Sequence, residues 1–242
     1  MIVDLVCFAK NEDRYIEEWV DYHIKLGFDN IIIYQNDWVC PITRDKLILK
    51  NFSGKGVQMD CYLDYLNNVS SDYAAFIDVD EFIVLQKHTN IKDFLTEYHN
   101  EYGIAVNRYY FGSQGKIKHD VEFPNSLLRQ FTKRDSNVDF HIKTILNLKT
   151  SNGYMELPHN PNTPLMDTNG KIFRGSFNKN GPTDVIQINH YYHKTYEDWK
   201  KICERGQGSS IFSKSKLPIE WENSIMKFDE VEDTKARDFF YN

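Results

Sequence analysis

The sequence predicts an α/β fold: a mixed, mostly parallel central sheet flanked by helices. Three observations predict it. The opening residues alternate between short apolar runs and one helical repeat. Further short apolar runs recur down the chain, bounded by turn residues. One of those runs leads straight into Asp78-Val79-Asp80.

Ile2 to Phe8 is a short apolar run and fits a buried strand. Tyr15, Ile16, Trp19, Val20, His23 and Leu26 then recur at helical spacing, and Gly27 closes the pattern. Trp19 and His23 lie on its apolar face and read as core. Glu17, Glu18 and Asp21 lie on its polar face. Ile31 to Tyr34 is a second buried strand, ending in the polar Gln35-Asn36-Asp37. Strand, helix, strand is a βαβ unit, and the right-handed crossover rule makes its two strands parallel. Thr43 to Phe52 predicts a second helix, and Gly56 to Tyr62 a third strand. Tyr73 to Ile77 predicts a fourth strand, Phe82 to Leu85 another, and Ile91 to His99 a helix. Gly103 to Phe111, His141 to Lys149 and Asp184 to Tyr192 read as later strands, and Thr195 to Glu204 as a late helix stopped by Gly206. No internal repeat or low-complexity linker divides the chain, so one domain is expected.

The chain has 242 residues, enough for one domain with a real core. It carries 16 Phe, 15 Tyr and 4 Trp, which excludes a disordered composition. The formal net charge of -6 and the lack of any long basic run argue against a nucleic-acid partner. Negative charge does not exclude a phosphate ligand, because a bound metal reverses the local sign. The four cysteines, Cys7, Cys40, Cys61 and Cys203, form no C-x-x-C pair and no zinc spacing. Cys7 and Cys61 fall in predicted buried strands. All four are expected to be reduced, which suggests a cytoplasmic protein. The N-terminal residues lack the pattern of a secretory leader, and no apolar stretch approaches a membrane span. A soluble protein, or one peripheral to a membrane, is expected.

The segment Ala74 to Phe82 carries the chemistry. Side chains two apart on an extended segment share a face, so Asp78 and Asp80 are expected to point into one site. Two hard oxygen donors suit Mg²⁺ or Mn²⁺, ions commonly shared with substrate phosphates. Ligands of open α/β sheets bind beyond the C-terminal strand ends, where this motif stands. The bland alternative is a solvated acidic turn.

Several motifs in order resemble glycosyltransferase family 92 and its bacterial family-2-like relatives. They are Phe8-Ala9-Lys10-Asn11-Glu12, Tyr15 to His23, Leu26 to Asp29, Ile33 to Asn36 and Ile77-Asp78-Val79-Asp80-Glu81-Phe82. Tyr110-Phe111-Gly112-Ser113, Lys143-Thr144-Ile145, His159, Asn189-His190-Tyr191, Lys194 and Arg205-Gly206 extend the resemblance to about residue 206. The loop Asn36-Asp37-Trp38-Val39-Cys40 departs from the family's usual Ser-x-Asp. The resemblance implies a GT-A type fold, a UDP-sugar donor, a glycan acceptor, a divalent metal and inversion at the anomeric carbon. It divides the single domain into a nucleotide- and metal-binding half (1–100), an acceptor-side half (101–206) and a C-terminal extension (207–242). Galactose is the first expectation for the sugar. The acceptor is expected to be a surface glycan such as lipopolysaccharide or capsule, made at the inner face of the cytoplasmic membrane.

The expected metal ligands are Asp78, Asp80 and, by the family position, His190, whose neutral imidazole suits Mn²⁺; His193 is a lesser candidate. Lys194 is expected either to meet the departing phosphates as a point charge or to be a plain surface lysine. Lys10, Asn11, Glu12, Asn36, Asp37 and Asp78 are the expected nucleotide contacts; the alternative for Asn11 or Asp13 is a helix cap. Glu81 is as readily a brace of the turn as a functional group. Asp120 and Glu122 are the candidate bases for the acceptor hydroxyl. Tyr109, Tyr110 and Phe111 are either a sugar platform or core strand residues. Two other readings stay open. A haloacid-dehalogenase-like phosphatase also uses D-x-D, but at its first strand. A non-catalytic carbohydrate- or nucleotide-binding module is the third.

Overall fold

Val3 to Ala9 forms β1 as expected of an apolar run, and its alternating side chains feed two cores. The computed structural model describes residues 1–150, 155–157, 160–205, 221–222 and 227–242. Leu5, Cys7, Ile31 and Ile33 belong to one buried cluster, and Val6, Ile32 and Tyr34 to another. This odd–even split places the two cores on opposite faces of one sheet. The parallel pair β1–β2 (Asn30–Gln35) is joined by α1 (Ile16–Leu26). Gly27 closes α1 at φ 106°, where a Cβ would stand 2.5 Å from the Asn90 side chain, so glycine is required on two counts.

Beyond β2 the order departs from expectation twice. The predicted helix Thr43–Phe52 is instead β3 (Leu47–Asn51), parallel to β2 at the sheet edge. Its Leu-Ile-Leu run finds ladder partners there, and sheet pairing overrides a weak helical pattern. The predicted strand Gly56–Tyr62 is instead the start of α2 (Gln58–Asn68). Gln58, Cys61, Tyr62, Tyr65 and Leu66 are its buried residues, a period of three to four. Reading only to Tyr62 cut that pattern short. Cys61 is buried as expected, but on a helix.

The other elements are β4 (Tyr73–Phe76), β5 (Glu81–Leu85), α3 (Ile91–Glu97), β6 (Gly103–Tyr110), α4 (Leu127–Gln130), β7 (Lys133–Arg134), β8 (Asp139–Asn147), β9 (Met155–Leu157), β10 (Asn160–Pro161), β11 (Leu165–Met166), β12 (Ile172–Phe173), β13 (Ile186–His190), α5 (Tyr196–Arg205), β14 (Val231–Glu232) and α6 (Lys235–Tyr241). Of these, β4, β5, α3, β6, β8, β13 and α5 fall where the sequence predicts them, and the remaining short ones are not predicted by it. The main sheet runs β12-β11-β6-β8-β4-β1-β2-β3, with β13 bridging β6 and β5. β1 pairs in parallel with β2 and β4, and β13 with β6, while β8 runs antiparallel to both β4 and β6. The mixed, mostly parallel α/β sheet agrees with the predicted fold class. Among the described residues no helix is long and apolar enough to cross a membrane.

The described end of the chain packs back on α1. Tyr22 meets Phe239 and Phe240 at ring distances of 5.3 and 5.9 Å. The Tyr241 hydroxyl donates to the buried Glu18 carboxylate. Gly112 faces Asp229 so closely that a Cβ would come within 2.1 Å of its Oδ1, which leaves no room for a side chain.

Candidate active site

Register brings the predicted residues to one edge of the sheet. Ala9 lies beside Gln35, and Val6 beside Phe76. The segments after β1 (Lys10 to Glu12), β2 (Asn36, Asp37) and β4 (Asp78 to Asp80) therefore leave the sheet together, at the C-terminal strand ends. β13 adds His190, which pairs with Glu81 of β5 and Tyr110 of β6.

Asp78-Val79-Asp80 is a turn, not the extended segment expected. The Glu81 N–H donates to the Asp78 carbonyl at 3.0 Å, and Val79 is buried between the two acids. The carboxylates accordingly meet different cations. Asp78 accepts from Lys143 Nζ at 2.8 Å and from Gln58 Nε2 at 3.3 Å. Asp80 accepts from Lys194 Nζ at 3.0 Å. Helix α1 fixes the turn from below: Trp19 Nε1 donates to the Glu81 carbonyl and the Tyr22 hydroxyl to the Ile83 carbonyl, each at 2.8 Å. Trp19 and His23 are fully buried, as expected of core.

Glu81 resolves into a brace. It is 0% exposed and accepts from the Asp78 N–H at 3.0 Å, from Lys143 Nζ at 2.8 Å and from Arg108 at 3.2 Å. Arg108 Nε in turn donates to Asp139 at 2.6 Å and its Nη2 to the Tyr110 hydroxyl at 2.8 Å. Burial pushes the Glu81 carboxyl above the ordinary glutamate range, against the pull of Lys143 and Arg108. Burial would lower Lys143, but Asp78 and Glu81 outweigh it and hold the ammonium charged.

His190 suits a metal. Its Nε2 stands 3.7 Å from Asp80 Oδ1, beyond hydrogen-bond reach. That falls between the separations of adjacent (about 3 Å) and opposite (about 4 Å) ligands of one octahedral cation. Its Nδ1 is buried without a hydrogen-bond partner, 3.6 Å from Glu81. Burial holds the imidazole well below its usual pKa, hence neutral with a lone pair to give. Among the described residues no three His, Cys, Asp or Glu side chains form a ready cage. The donor set present is one imidazole with one or two carboxylates, which fits a cation that shares its remaining positions with phosphate or water.

A cavity of about 520 Å³ is lined by Lys10, Asn11, Glu12, Tyr15, Lys194 and Asp198 among others, and Lys194 links it to Asp80. Asn11 (φ 57°) and Lys194 (φ 48°) line it in the left-handed region, and Asp37 (φ 46°), 3.5 Å from Lys10, shares that conformation. Backbone strain of this kind concentrates at functional sites. Asp198 accepts from the Tyr15 hydroxyl at 2.6 Å and stands 3.2 Å from His119. Burial opposes its charge, but His119, Tyr15 and Lys194 lower its carboxyl to about 2 from 3.8. A depressed folded-state pKa gives stability that is present above the unfolded value and lost as pH falls from about 4 to about 2. Asp198→Asn is therefore expected to flatten the acid limb of a plot of urea midpoint against pH. An unchanged slope between those pH values would contradict the pairing.

The structure places other expected residues elsewhere. The Asn36 amide donates to the Phe52 and Gly54 carbonyls, so it ties loops together. Asp120 is paired with Lys116 at 2.8 Å, Glu122 is exposed, and neither lines the cavity. Tyr109 on β6 and Phe111 just beyond it are buried core residues, so these two form no sugar platform. The His193 ring stacks between Trp199 and Phe228. His159 and Gly206 lie outside the described residues, as do 207–220 and 223–226. Sequence reasoning missed Gln58, Arg108 and Asp198. Arg108 had a signal: a charged residue in the middle of an apolar strand run is seldom buried unless paired.

The chain belongs to glycosyltransferase family 92. The family model matches residues 51–238, which includes the D-x-D turn, Arg108, Lys143, His190 and Lys194; the opening motifs precede the match. No curated protein matches the sequence. Among solved structures, the chain is similar to S. aureus TarS 1-349, at 14% identity over 61% of this chain and 47% of that one, TM-score 0.38. The same protein in complex with UDP aligns at 12% identity over 93% and 70%, TM-score 0.42. HddC from Yersinia pseudotuberculosis aligns at 12% identity over 60% and 73%, TM-score 0.35. The chain spans about half the length of the first of these.

Proposed function

We propose that this glycosyltransferase moves a hexose, galactose first among the candidates, from a UDP-sugar to a glycan hydroxyl with inversion. The observation that carries it is the meeting of Asp80, His190 and Lys194, the last of which also lines the cavity formed by Lys10, Asn11 and Glu12. Asp78, Asp80 and His190 are the residues that would hold Mn²⁺ or Mg²⁺. When bound, such an ion supplies Lewis-acid stabilisation to the leaving diphosphate.

Charge balance supports a cation. The cavity has four cationic side chains, Lys10, Arg14, Lys194 and Lys201, against four acidic ones, Glu12, Asp13, Asp198 and Glu204. An anionic diphosphate entering that neutral set gains little unless positive charge comes with it. Lys194, fixed by Asp80 and raised by it against the effect of burial, keeps a charged ammonium facing the phosphates. Lys10 and Asn11 orient the nucleotide from the end of β1. Glu81, Lys143 and Arg108 hold the turn.

The work of the family is to join sugars to glycans, so a lipid-linked surface glycan at the inner membrane face is the proposed acceptor setting. The direct test is to incubate the protein with Mn²⁺ and UDP-galactose, UDP-glucose or UDP-N-acetylglucosamine, following UDP release and the anomeric proton by NMR. UDP-galactose is expected to be consumed fastest, with release of the β-anomer from the α-linked donor. Faster use of another UDP-sugar would overturn the galactose assignment. An α-product would overturn inversion, and no UDP release from any would overturn the donor class.

A further inference from the structure

We infer that Phe140, His141 and Phe177 form an acceptor subsite that stacks on the apolar face of a pyranose ring. The inference rests on the glycosyltransferase reading and names the part of the site that takes the acceptor. Phe140 and Phe177 are 49% and 57% exposed, unusual for phenylalanine side chains. Their rings lie 5.4 Å apart, and His141 contacts both, at 4.7 and 4.8 Å. Three rings thus meet at the surface.

The presentation is rigid. Phe177 sits on a loop bridged to β8 at His141, where the Ile142 N–H donates to the Ser176 carbonyl and the Asn178 N–H to the Phe140 carbonyl. The next residue, Asn178, is 1% exposed and anchors the loop: its amide donates to Asp167, and its carbonyl accepts from the buried Asn107 amide. Gly181 completes the anchor, since a Cβ there would come within 1.8 Å of the Asn107 carboxamide oxygen. A buried polar network thus holds an apolar ring out in water, an arrangement that core packing does not explain.

The rings are continuous with the candidate active site. His141 Nδ1 stands 3.1 Å from Asp139, which takes Arg108 at 2.6 Å, and Arg108 contacts Glu81 of the D-x-D turn. Lys143 stands two residues further along β8 and holds Asp78. Aromatic faces beside a carboxylate and an imidazole match a sugar: its C–H face stacks on the rings, and its hydroxyls find donors and acceptors at the edge.

The test is a glycan array of mono- to tetrasaccharides, read with the wild-type chain, Phe140→Ala, Phe177→Ala and Phe177→Trp. UDP is titrated into the same preparations with Mn²⁺. Wild type is expected to bind at least one saccharide, the two alanine variants about tenfold more weakly, and Phe177→Trp within about twofold of wild type. UDP affinity should be unchanged in all four, so a loss of UDP binding throughout reports failure of the donor reading instead. Equal array binding by wild type and both alanine variants overturns the inference, as does a wild type that binds no saccharide. Self-association that disappears in Phe177→Ala while saccharide binding persists would mark the patch as a contact between copies, and also overturns it.

Discussion

Asp80→Asn is expected to lower sugar transfer by about 10²–10³-fold while leaving the melting temperature within about 2 °C of wild type. The two effects separate because of what Asp80 touches. Its Oδ2 takes Lys194, and an asparagine carbonyl can still accept that bond. Its Oδ1 stands 3.7 Å from His190, and asparagine keeps the size of the side chain there while removing its charge. The lost charge is therefore felt by the diphosphate end of the donor more than by the fold. His190→Ala should fall in the same range, and the double variant should be little worse than either single one, because the residues act as a unit. Turnover of Asp80→Asn within threefold of wild type would remove this residue from the site.

Lys143→Met is expected to be the most destabilising single change near the site. Lys143 is 1% exposed, and its ammonium is 2.8 Å from both Asp78 and Glu81. Methionine keeps the stem and removes the charge. Glu81, fully buried, is then left with Arg108 at 3.2 Å and the Asp78 N–H. Removing one partner of a buried ion pair costs about 3–5 kcal/mol, which for a chain of this size lowers the melting temperature by about 10 °C. Adding Glu81→Gln to Lys143→Met should recover part of the loss, since the orphaned charge goes with it. A single variant that melts with wild type would show that the network contributes nothing to stability.

The order of elements along the chain was readable where one pattern dominated. β1, α1 and β2 follow from apolar runs around a helical repeat, and β4 and β5 from runs flanking the acids. The swap at residues 43 to 68 has two causes. A Leu-Ile-Leu edge strand looks helical until β2 supplies its ladder, and the repeat of α2 shows only when read past Tyr62. The insertion of β13 between β5 and β6 could not be read, because nothing local to Ile186–His190 states which strands it joins. Yet that insertion is what carries His190 to Asp80.

The site was legible to a similar degree. The two acids, His190 and Lys194 were singled out by motif, and the fold brings Asp80, His190 and Lys194 together. Their geometry was not legible: the D-x-D is a turn that sends Asp78 to Lys143 and Asp80 to Lys194. Arg108, Gln58 and Asp198 act through contacts distant in sequence, and such partners are visible only in the folded chain. The two expected bases do not meet the cavity: Asp120 is engaged by Lys116, and Glu122 lies outside its lining.

The most direct test of the central claim is a calorimetric titration of wild type and Asp80→Ala with UDP, with and without Mn²⁺. A metal-assisted donor site predicts tight UDP binding by wild type only when Mn²⁺ is present, and loss of that binding in Asp80→Ala. Binding of equal strength with and without Mn²⁺, or no UDP binding under either condition, would contradict it.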